Sequence, residues 1–395
     1  MFNNLTELPT DPILGLAAAF RADERVNKVD LSVGVFKNEK GETPIFEAVK
    51  KAEAYRVETE TTKAYIGMTG QDGYNSLLLA EALGASHPVI AEGRVASTLT
   101  PGGCGALHMI AQMIKRSNAK AKVWVSDPTW ANHIPLIGGV GIEIETYPYF
   151  DRATHGVNFD AMLSQLNKLG ADDIVLLHAC CHNPTGADLS EAQWDQLAES
   201  AAKNGWIPFI DSAYQGLGTS LEADGYGMRT MAKAVPQMFL ALSCSKNFGL
   251  YRDRVGLAAV ITDKTNVNAV LSHVKVVGRG IWSMPPAHGG AIVEKILSTP
   301  TLRDSWVSEL EDICSTVNTN RQLLAQALTG AGIPGDFGYL TENQGMFSFL
   351  DLSKDQINRL REEHAVYIVG SGRINIAGAH KGNVDLIAEA IKAVF

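Results

Sequence analysis

The chain has 395 residues, close to half of them hydrophobic, with 34 Lys and Arg against 43 Asp and Glu. This length gives one large or two moderate domains with a sizeable core, and the mildly acidic balance without a basic tract excludes nucleic acid and anionic membrane as main partners. No apolar stretch reaches a bilayer-spanning length, the start Met1-Phe2-Asn3-Asn4-Leu5-Thr6-Glu7 lacks the basic head and apolar centre of a signal peptide, and five cysteines without C-x-x-C spacing read as free thiols in a reducing cytoplasm.

Asp11-Pro12 before Ile13-Leu14 reads as an N-cap with Pro at the first helical position, so residues 1–12 are expected to form an arm lacking periodicity of its own. Residues 29–35 alternate like a strand, and helical patterns follow near 46–59 and 72–84. From about 95 to 261 the pattern alternates. Strand-like runs at 95–100, 123–126, 142–147, 174–178, 207–210, 238–242 and 255–261 are mostly separated by amphipathic stretches such as 103–116, 158–169 and 190–203. This predicts an α/β large domain with a mostly parallel seven-stranded sheet covered by helices on both faces. A long helical region spans about 286–330, with a break expected near Thr299-Pro300. Beyond Gly332-Ile333-Pro334-Gly335 come shorter units: strand 346–350, helix 354–363, strands 366–369 and 373–376, and helix 383–394. These predict a smaller, discontinuous α+β domain of residues 13–45 and 312–395, with 46–311 forming the large domain.

The polar residues cluster just after the predicted strands, where the carboxyl ends of a parallel sheet share one edge and α/β proteins bind ligands. Ser243-Cys244-Ser245-Lys246-Asn247-Phe248-Gly249 follows the apolar run 238–242, and Arg254 comes shortly after. A lysine beside hydroxyls and a guanidinium is either an exposed strand end or an amine that forms an imine next to an anchored phosphate. Thr100-Pro101-Gly102-Gly103-Cys104-Gly105 opens a helix, and its N–H groups either cradle a phosphate or simply make a tight turn. Asp211 ends a buried run and requires a partner; it is a turn residue or the counter-ion of a pyridinium N–H. Trp130 stacks on a planar ring or fills the core. Asn183 and Tyr214 are turn residues or donors to a ring phenolate. Arg373 alternates with apolar neighbours and either snorkels to the surface or takes a carboxylate. Cys180-Cys181-His182 is a poor metal motif, because adjacent residues on an extended strand point to opposite faces, and no metal is expected.

Taken together these stretches resemble the aspartate and aromatic amino-acid aminotransferases, fold type I pyridoxal-phosphate enzymes, nearly end to end. The resemblance is carried by Val33-Gly34-Val35, Glu60-Thr61-Thr62-Lys63-Ala64-Tyr65, Ser126-Asp127-Pro128-Thr129-Trp130-Ala131-Asn132-His133, Cys180-Cys181-His182-Asn183-Pro184-Thr185-Gly186, Ala213-Tyr214-Gln215-Gly216 and Ser245-Lys246-Asn247-Phe248-Gly249. It implies that Lys246 binds pyridoxal 5'-phosphate as an imine and moves the substrate's α-proton. Asp211 would pair with the pyridine nitrogen and be supported by His133, Asn183 and Tyr214 would bond the phenolic oxygen, and Trp130 would stack on the ring. Gly103, Cys104, Ser243, Ser245 and Arg254 would surround the phosphate, with Tyr65 reaching it from a second subunit. Arg373 would clamp the substrate α-carboxylate beside Gly34, with Trp130 and Asn183 also lining the substrate site.

Two departures from the family pattern stand out. Cys104 occupies a place usually held by Thr or Ser, and a thiol is the weaker donor. Arg279, the family's reader of the side-chain carboxylate from the partner subunit, is followed by Met284 where strict aspartate enzymes commonly carry Asn; Met offers a soft apolar surface instead of a polar anchor. The resemblance therefore implies a homodimer, expected in the cytoplasm, that transfers amino groups from aromatic L-amino acids and aspartate to 2-oxoglutarate by a ping-pong route. The alternatives are a strict aspartate enzyme, a lyase or decarboxylase on the same scaffold, and a cofactor-sensing domain.

Overall fold

The computed structural model describes residues 2–8 and 12–395, with the side chains of 12–14 left aside. The expected cap at Asp11 lies outside the described residues. Of the arm, Phe2–Asn4 form a single 3-10 turn that buries nothing, and a helix follows over Pro12–Ala22.

The chain divides into two compact units. The larger comprises Pro44–Asn183 and Ala187–Ser315; the smaller comprises Met1–Thr43, Pro184–Gly186 and Thr316–Phe395. The larger is built on a seven-stranded sheet. Its strands are β1 (Val95–Pro101), β2 (Lys122–Asp127), β3 (Glu143–Pro148), β4 (Asp173–His178), β5 (Ile207–Ser212), β6 (Met238–Ser243) and β7 (Val255–Ile261). They lie in the order β1-β7-β6-β5-β4-β2-β3. All pairings are parallel except those of β7, which runs antiparallel to both β1 and β6. All seven expected strands are present.

Their sequences explain why the sheet is interior. Every residue of β6, Met-Phe-Leu-Ala-Leu-Ser, is buried, as expected for a strand covered on both faces. The helix Gly102–Ser117 buries Ala106, Leu107, Met109, Ile110, Met113 and Ile114 at helical spacing, and these residues join Val123, Val125, Ile174, Leu176 and Phe209 in one core. The helix Glu191–Asn204 starts in a capping box between Ser190 and Gln193 and stops at Gly205 in the left-handed region. The segment carrying Lys246 is pinned by its neighbours: Phe248 stacks on Trp306 with ring centroids 4.3 Å apart, and Trp306 Nε1 donates to the Asn247 carbonyl at 2.7 Å. The expected break at Thr299-Pro300 separates helices Ala287–Ser298 and Pro300–Gly330.

In the smaller unit, Val29–Asp30 pairs parallel with Val366–Tyr367, and Phe347–Phe349 pairs antiparallel with Arg373–Asn375. Helices Lys354–His364 and Val384–Val394 complete it. The strand expected over 29–35 stops at Asp30 because the Asp30 carboxylate accepts both the N–H and the hydroxyl of Ser32, at 2.9 and 2.7 Å, which turns the chain. Arg321 is fully buried, and its guanidinium donates to the carbonyls of Leu340, Gln344, Gly345 and Phe347. These bonds fix the turn that leads into Phe347–Phe349.

Candidate active site

The parallel strands deliver their carboxyl ends to one edge of the sheet, and most of the expected site residues are gathered there. Asp211 sits near the end of β5, Ser243 ends β6, and the helix Gly102–Ser117 begins directly after β1.

The Asp211 carboxylate is one end of a hydrogen-bonded chain. His133 Nε2 lies 2.9 Å from Asp211 Oδ2, and His133 Nδ1 lies 2.8 Å from the Thr129 hydroxyl. That hydroxyl is 3.4 Å from His178 Nε2, and His178 Nδ1 accepts the Asn183 N–H at 3.3 Å. Because Nδ1 of His178 accepts, its proton sits on Nε2 and points to Thr129. Thr129 can then donate to His133 Nδ1, leaving the His133 Nε2–H for Asp211. Burial, helped by the nearby His133, holds the His178 pKa down to about 3 against the pull of Asp211. Burial raises the pKa of Asp211, but the hydrogen bond from His133, aided by the positive field of the surrounding groups including Lys246, outweighs it and keeps the carboxyl below its ordinary value. Asp211 is therefore ionised at neutral pH. Its side chain is 11% exposed, and its Oδ1 takes no hydrogen bond among the described residues.

Lys246 is half-buried, with Nζ 4.5 Å from the centroid of the Tyr214 ring. It forms no hydrogen bond or ion pair among the described residues. Asn183 is buried, and its Oδ1 finds no partner among the described residues. Trp130 meets His133 edge to face at 5.3 Å.

Next to these residues lies a cup. Arg254 Nη1 donates to Ser245 Oγ at 3.2 Å and to the Tyr251 carbonyl at 3.0 Å, and Ser243 Oγ donates to Ser245 Oγ at 3.1 Å. No carboxylate neutralises Arg254 among the described residues. The first turn of the helix at Gly102 closes the cup, with Cys104 half-buried in it and accepting from Asn132 Nδ2 at 3.7 Å. A Cβ at Gly103 would sit 3.0 Å from Ser243 Cβ. Gly102 has φ +75°, and a Cβ there would lie 2.5 Å from Arg254 Nη2. Gly102→Ala is therefore expected to push Arg254 out of the cup and to cost about 1–2 kcal/mol of stability, read as a lowered thermal midpoint. A guanidinium without a carboxylate partner among the described residues, two hydroxyls and a helix N-terminus are groups suited to an anion.

Gly34 and Arg373 belong to the smaller unit. There Arg373 is buried, donates to the Ser32 carbonyl at 2.6 Å, and has its guanidinium carbon 4.5 Å from the Phe347 centroid. Asn375 Nδ2 holds the Val33 and Val35 carbonyls at 2.6 and 2.9 Å, which fixes the loop carrying Gly34. Tyr65 and Arg279 make no hydrogen bond to the Lys246 cluster among the described residues. Tyr65 is 89% exposed, and Arg279, also exposed, donates to Ser283 Oγ at 2.5 Å. Met284 is half-buried.

Roles for Thr129, His178 and His182 were not read from the sequence. His182 stacks on His178 at 4.1 Å and on Tyr149 at 4.0 Å, and its Nε2 lies 2.9 Å from Ser126 Oγ. The available signal was that these residues end predicted strands or lie in the turns after them. Cys180 and Cys181 require a correction: they lie past the end of β4 rather than on an extended strand. With φ +51° at Cys181, both thiols come within 4.8 Å of each other and of an Asp224 oxygen. That carboxylate already accepts the N–H groups of Gly216, Gly218 and Thr219. The hydrogen bond with Cys181 lowers the Cys180 pKa, but burial and nearby carboxylates win and push it up to about 12, so the thiol stays protonated at neutral pH.

A mostly parallel α/β sheet with a lysine, a buried Asp–His pair and a cup suited to an anion at its carboxyl edge defines a fold type I aminotransferase architecture. The family model for aminotransferase class I and II matches residues 26–391, and the chain belongs to that family. It is 43% identical over 395 residues to the aspartate aminotransferase of Escherichia coli (strain K12), covering 100% of both chains. It also superposes on the aromatic-amino-acid aminotransferase of Burkholderia pseudomallei covalently bound to pyridoxal phosphate, with TM-score 0.97, 45% identity, and coverage of 100% of this chain and 99% of that one. An aromatic amino acids aminotransferase of Psychrobacter sp. B6 cocrystallised with aspartic acid matches with TM-score 0.96 and 37% identity, over 100% of this chain and 99% of that one.

Proposed function

We propose that the chain is a pyridoxal-phosphate-dependent transaminase that moves the amino group of aromatic L-amino acids and aspartate to 2-oxoglutarate in two half-reactions. The observation that carries this reading is the amine of Lys246, without a hydrogen bond or ion pair among the described residues, at the same sheet edge as an Asp211 held ionised with His133 bonded to it.

The residues fit the cofactor. The unneutralised Arg254, Ser243, Ser245, Cys104 and the backbone at Gly103 would hold its phosphate, and the open Oδ1 of Asp211 its ring N–H. Asn183, through Nδ2, and the Tyr214 phenol would donate to the ring's phenolic oxygen, Trp130 would flank the ring, and Lys246 would form the covalent attachment. When bound, the cofactor supplies an electron sink that makes the substrate's α-C–H acidic. The protein's part is positioning and proton transfer. Asp211 keeps a negative charge in a buried setting, where it would interact strongly with a protonated ring nitrogen. The Thr129–His178 chain fixes the tautomer of His133 and so the direction of its N–H. Lys246 Nζ accepts the α-proton. Arg373, held by Ser32 and Phe347, is assigned the α-carboxylate.

The substrate range rests on Arg279 and Met284 together. Arg279 reads a side-chain carboxylate, and Met284 tolerates an apolar ring. Relatives named for aspartate and for aromatic substrates match this chain almost equally well, which favours the broad reading. We assign Tyr65 and Arg279 to the active site of a second copy: both are exposed in the single chain, and neither is hydrogen-bonded to its Lys246 cluster among the described residues. We further propose that residues 1–12 act as an arm, that 13–45 with 312–395 and 46–311 act as the two functional domains, and that the homodimer works in the cytoplasm. Among the described residues no helix is long and apolar enough to cross a membrane.

The test mixes cofactor-loaded enzyme with phenylalanine and, separately, with aspartate, without any 2-oxo acid, and follows the visible absorbance of the bound cofactor. Bleaching by both without release of carbon dioxide or ammonia is expected. Bleaching by aspartate alone would leave a strict aspartate enzyme, and absence of any visible band after loading would overturn the assignment.

A further inference from the structure

At the opposite edge of the large sheet, where β4, β5 and β6 begin, lies a cavity of about 450 Å³. It is separated from the Lys246 edge by the six-residue length of β6, roughly 20 Å of strand. Its volume is within the ordinary range for a small-molecule site. The floor is apolar: Ile174, Ile207, Phe239, Val260 and Val270 line it, and Ile207, Val260 and Val270 remain only partly buried although they pack on the main core. Among the described residues no Asp or Glu lines it. Its charged group is Arg116, at the end of helix Gly102–Ser117. Arg116 Nε donates to His273 Nδ1 at 2.7 Å, and His273 also lines the cavity. That bond orients the guanidinium while leaving both its Nη groups without a protein partner among the described residues. Asn118 faces the same space, but its Nδ2 is engaged with Asp172 Oδ1 at 2.6 Å.

We propose that this cavity is a second, non-catalytic binding site for a small organic acid with one carboxylate and an aryl or branched-alkyl body. The body fills the space over Ile174, Ile207 and Phe239, and the carboxylate takes the two free Nη groups of Arg116. An apolar pocket whose charged lining is cationic and free of acids selects an amphipathic anion, and a planar guanidinium already tethered through Nε presents the fork that a carboxylate fits.

The probe is 4-phenylbutyrate, titrated calorimetrically into the cofactor-loaded enzyme with maleate present in saturating amount to occupy the substrate site. A class of site with Kd on the order of 10^-4 M is expected for a ligand of this size. Arg116→Gln should weaken it at least about tenfold, Ala269→Trp at the cavity mouth should abolish it, and 4-phenylbutanol, which lacks the charge, should bind at least about tenfold more weakly. Ala269 is exposed and Arg116 is a surface residue, so both variants should keep the thermal midpoint and turnover of the parent. Absence of binding in the presence of maleate, or binding that Arg116→Gln leaves unchanged, overturns the proposal, as does binding that survives Ala269→Trp. None of these outcomes depends on which amino acids the enzyme transaminates.

Discussion

Lys246→Ala is expected to lower turnover by about 10^5-fold or more, the scale seen when the group that makes and breaks covalent bonds is removed from an enzyme. Among the described residues no other primary amine belongs to the cluster at the carboxyl edge to replace either its proposed attachment or its proton transfer. Lys246→Arg should not rescue, because a guanidinium stays protonated at any working pH. The fold should survive, since Lys246 makes no hydrogen bond among the described residues and the segment around it is held instead by Phe248 and Trp306. The check is a single-turnover measurement with phenylalanine alongside thermal denaturation. Cofactor should still be retained by the Arg254–Ser245 cup, though dialysable. Turnover within tenfold of the parent would remove Lys246 from the mechanism.

Asp211→Asn should give the second-largest loss. The amide preserves shape and can still accept from His133, but the negative charge is gone. Breaking a buried charge pair in this way costs about 3–5 kcal/mol, which corresponds to roughly 10^2–10^4-fold in rate if the charge acts mainly in the transition state. The loss should fall on kcat far more than on KM for the amino acid, because Arg373, not Asp211, is assigned the substrate carboxylate. Asp211→Ala should add a loss of cofactor affinity and also leave the His133 N–H unpaired in a buried position. Steady-state kinetics with an equilibrium titration of cofactor would separate the two effects. An Asp211→Asn enzyme with unchanged kcat would show that the ionised carboxylate has only a structural role.

The sheet was legible because its strands are read from a local property. Runs such as 238–242 and 174–178 are short, continuously apolar and followed by polar turns, and a strand buried on both faces can hardly look otherwise. Asp211, Ser243 and Lys246 were legible for the same reason, since each lies at or just past such a run. The Thr129–His178 chain was not, because it joins residues from separate strand ends and only the parallel register brings them together. The helix Val267–Ile281 is absent from the expected elements although Val267, Val270, Leu271, Val274 and Gly278 follow a helical period; its exposed Val276 and glycines blur the pattern. The short strand at Val29 was overestimated because alternation alone does not reveal that Asp30 will capture the backbone of Ser32. The thiols of Cys180 and Cys181 were placed on opposite faces by assuming an extended chain, which a left-handed residue reverses.

The three residues Pro184–Gly186 belong to the smaller unit, although the chain on either side of them belongs to the larger. Within the smaller unit the Gly186 carbonyl accepts the Gln344 N–H at 2.7 Å, the Thr185 carbonyl accepts from Asn343 at 3.3 Å, and a Cβ on Gly186, at φ +73°, would lie 2.2 Å from the Phe347 carbonyl oxygen. The two units are therefore stitched rather than joined end to end, with the polypeptide changing allegiance at 43/44, 183/184, 186/187 and 315/316. Neither can be cut out of the gene as one contiguous piece. A fragment of residues 44–315 would carry the stitch without Asn343, Gln344 and Phe347 to hold it, and a fragment from 316 onward would lack both the stitch and the Val29 strand. Shuffling halves between relatives, a common route to new specificities in modular enzymes, is closed to this architecture unless all four crossings are exchanged together.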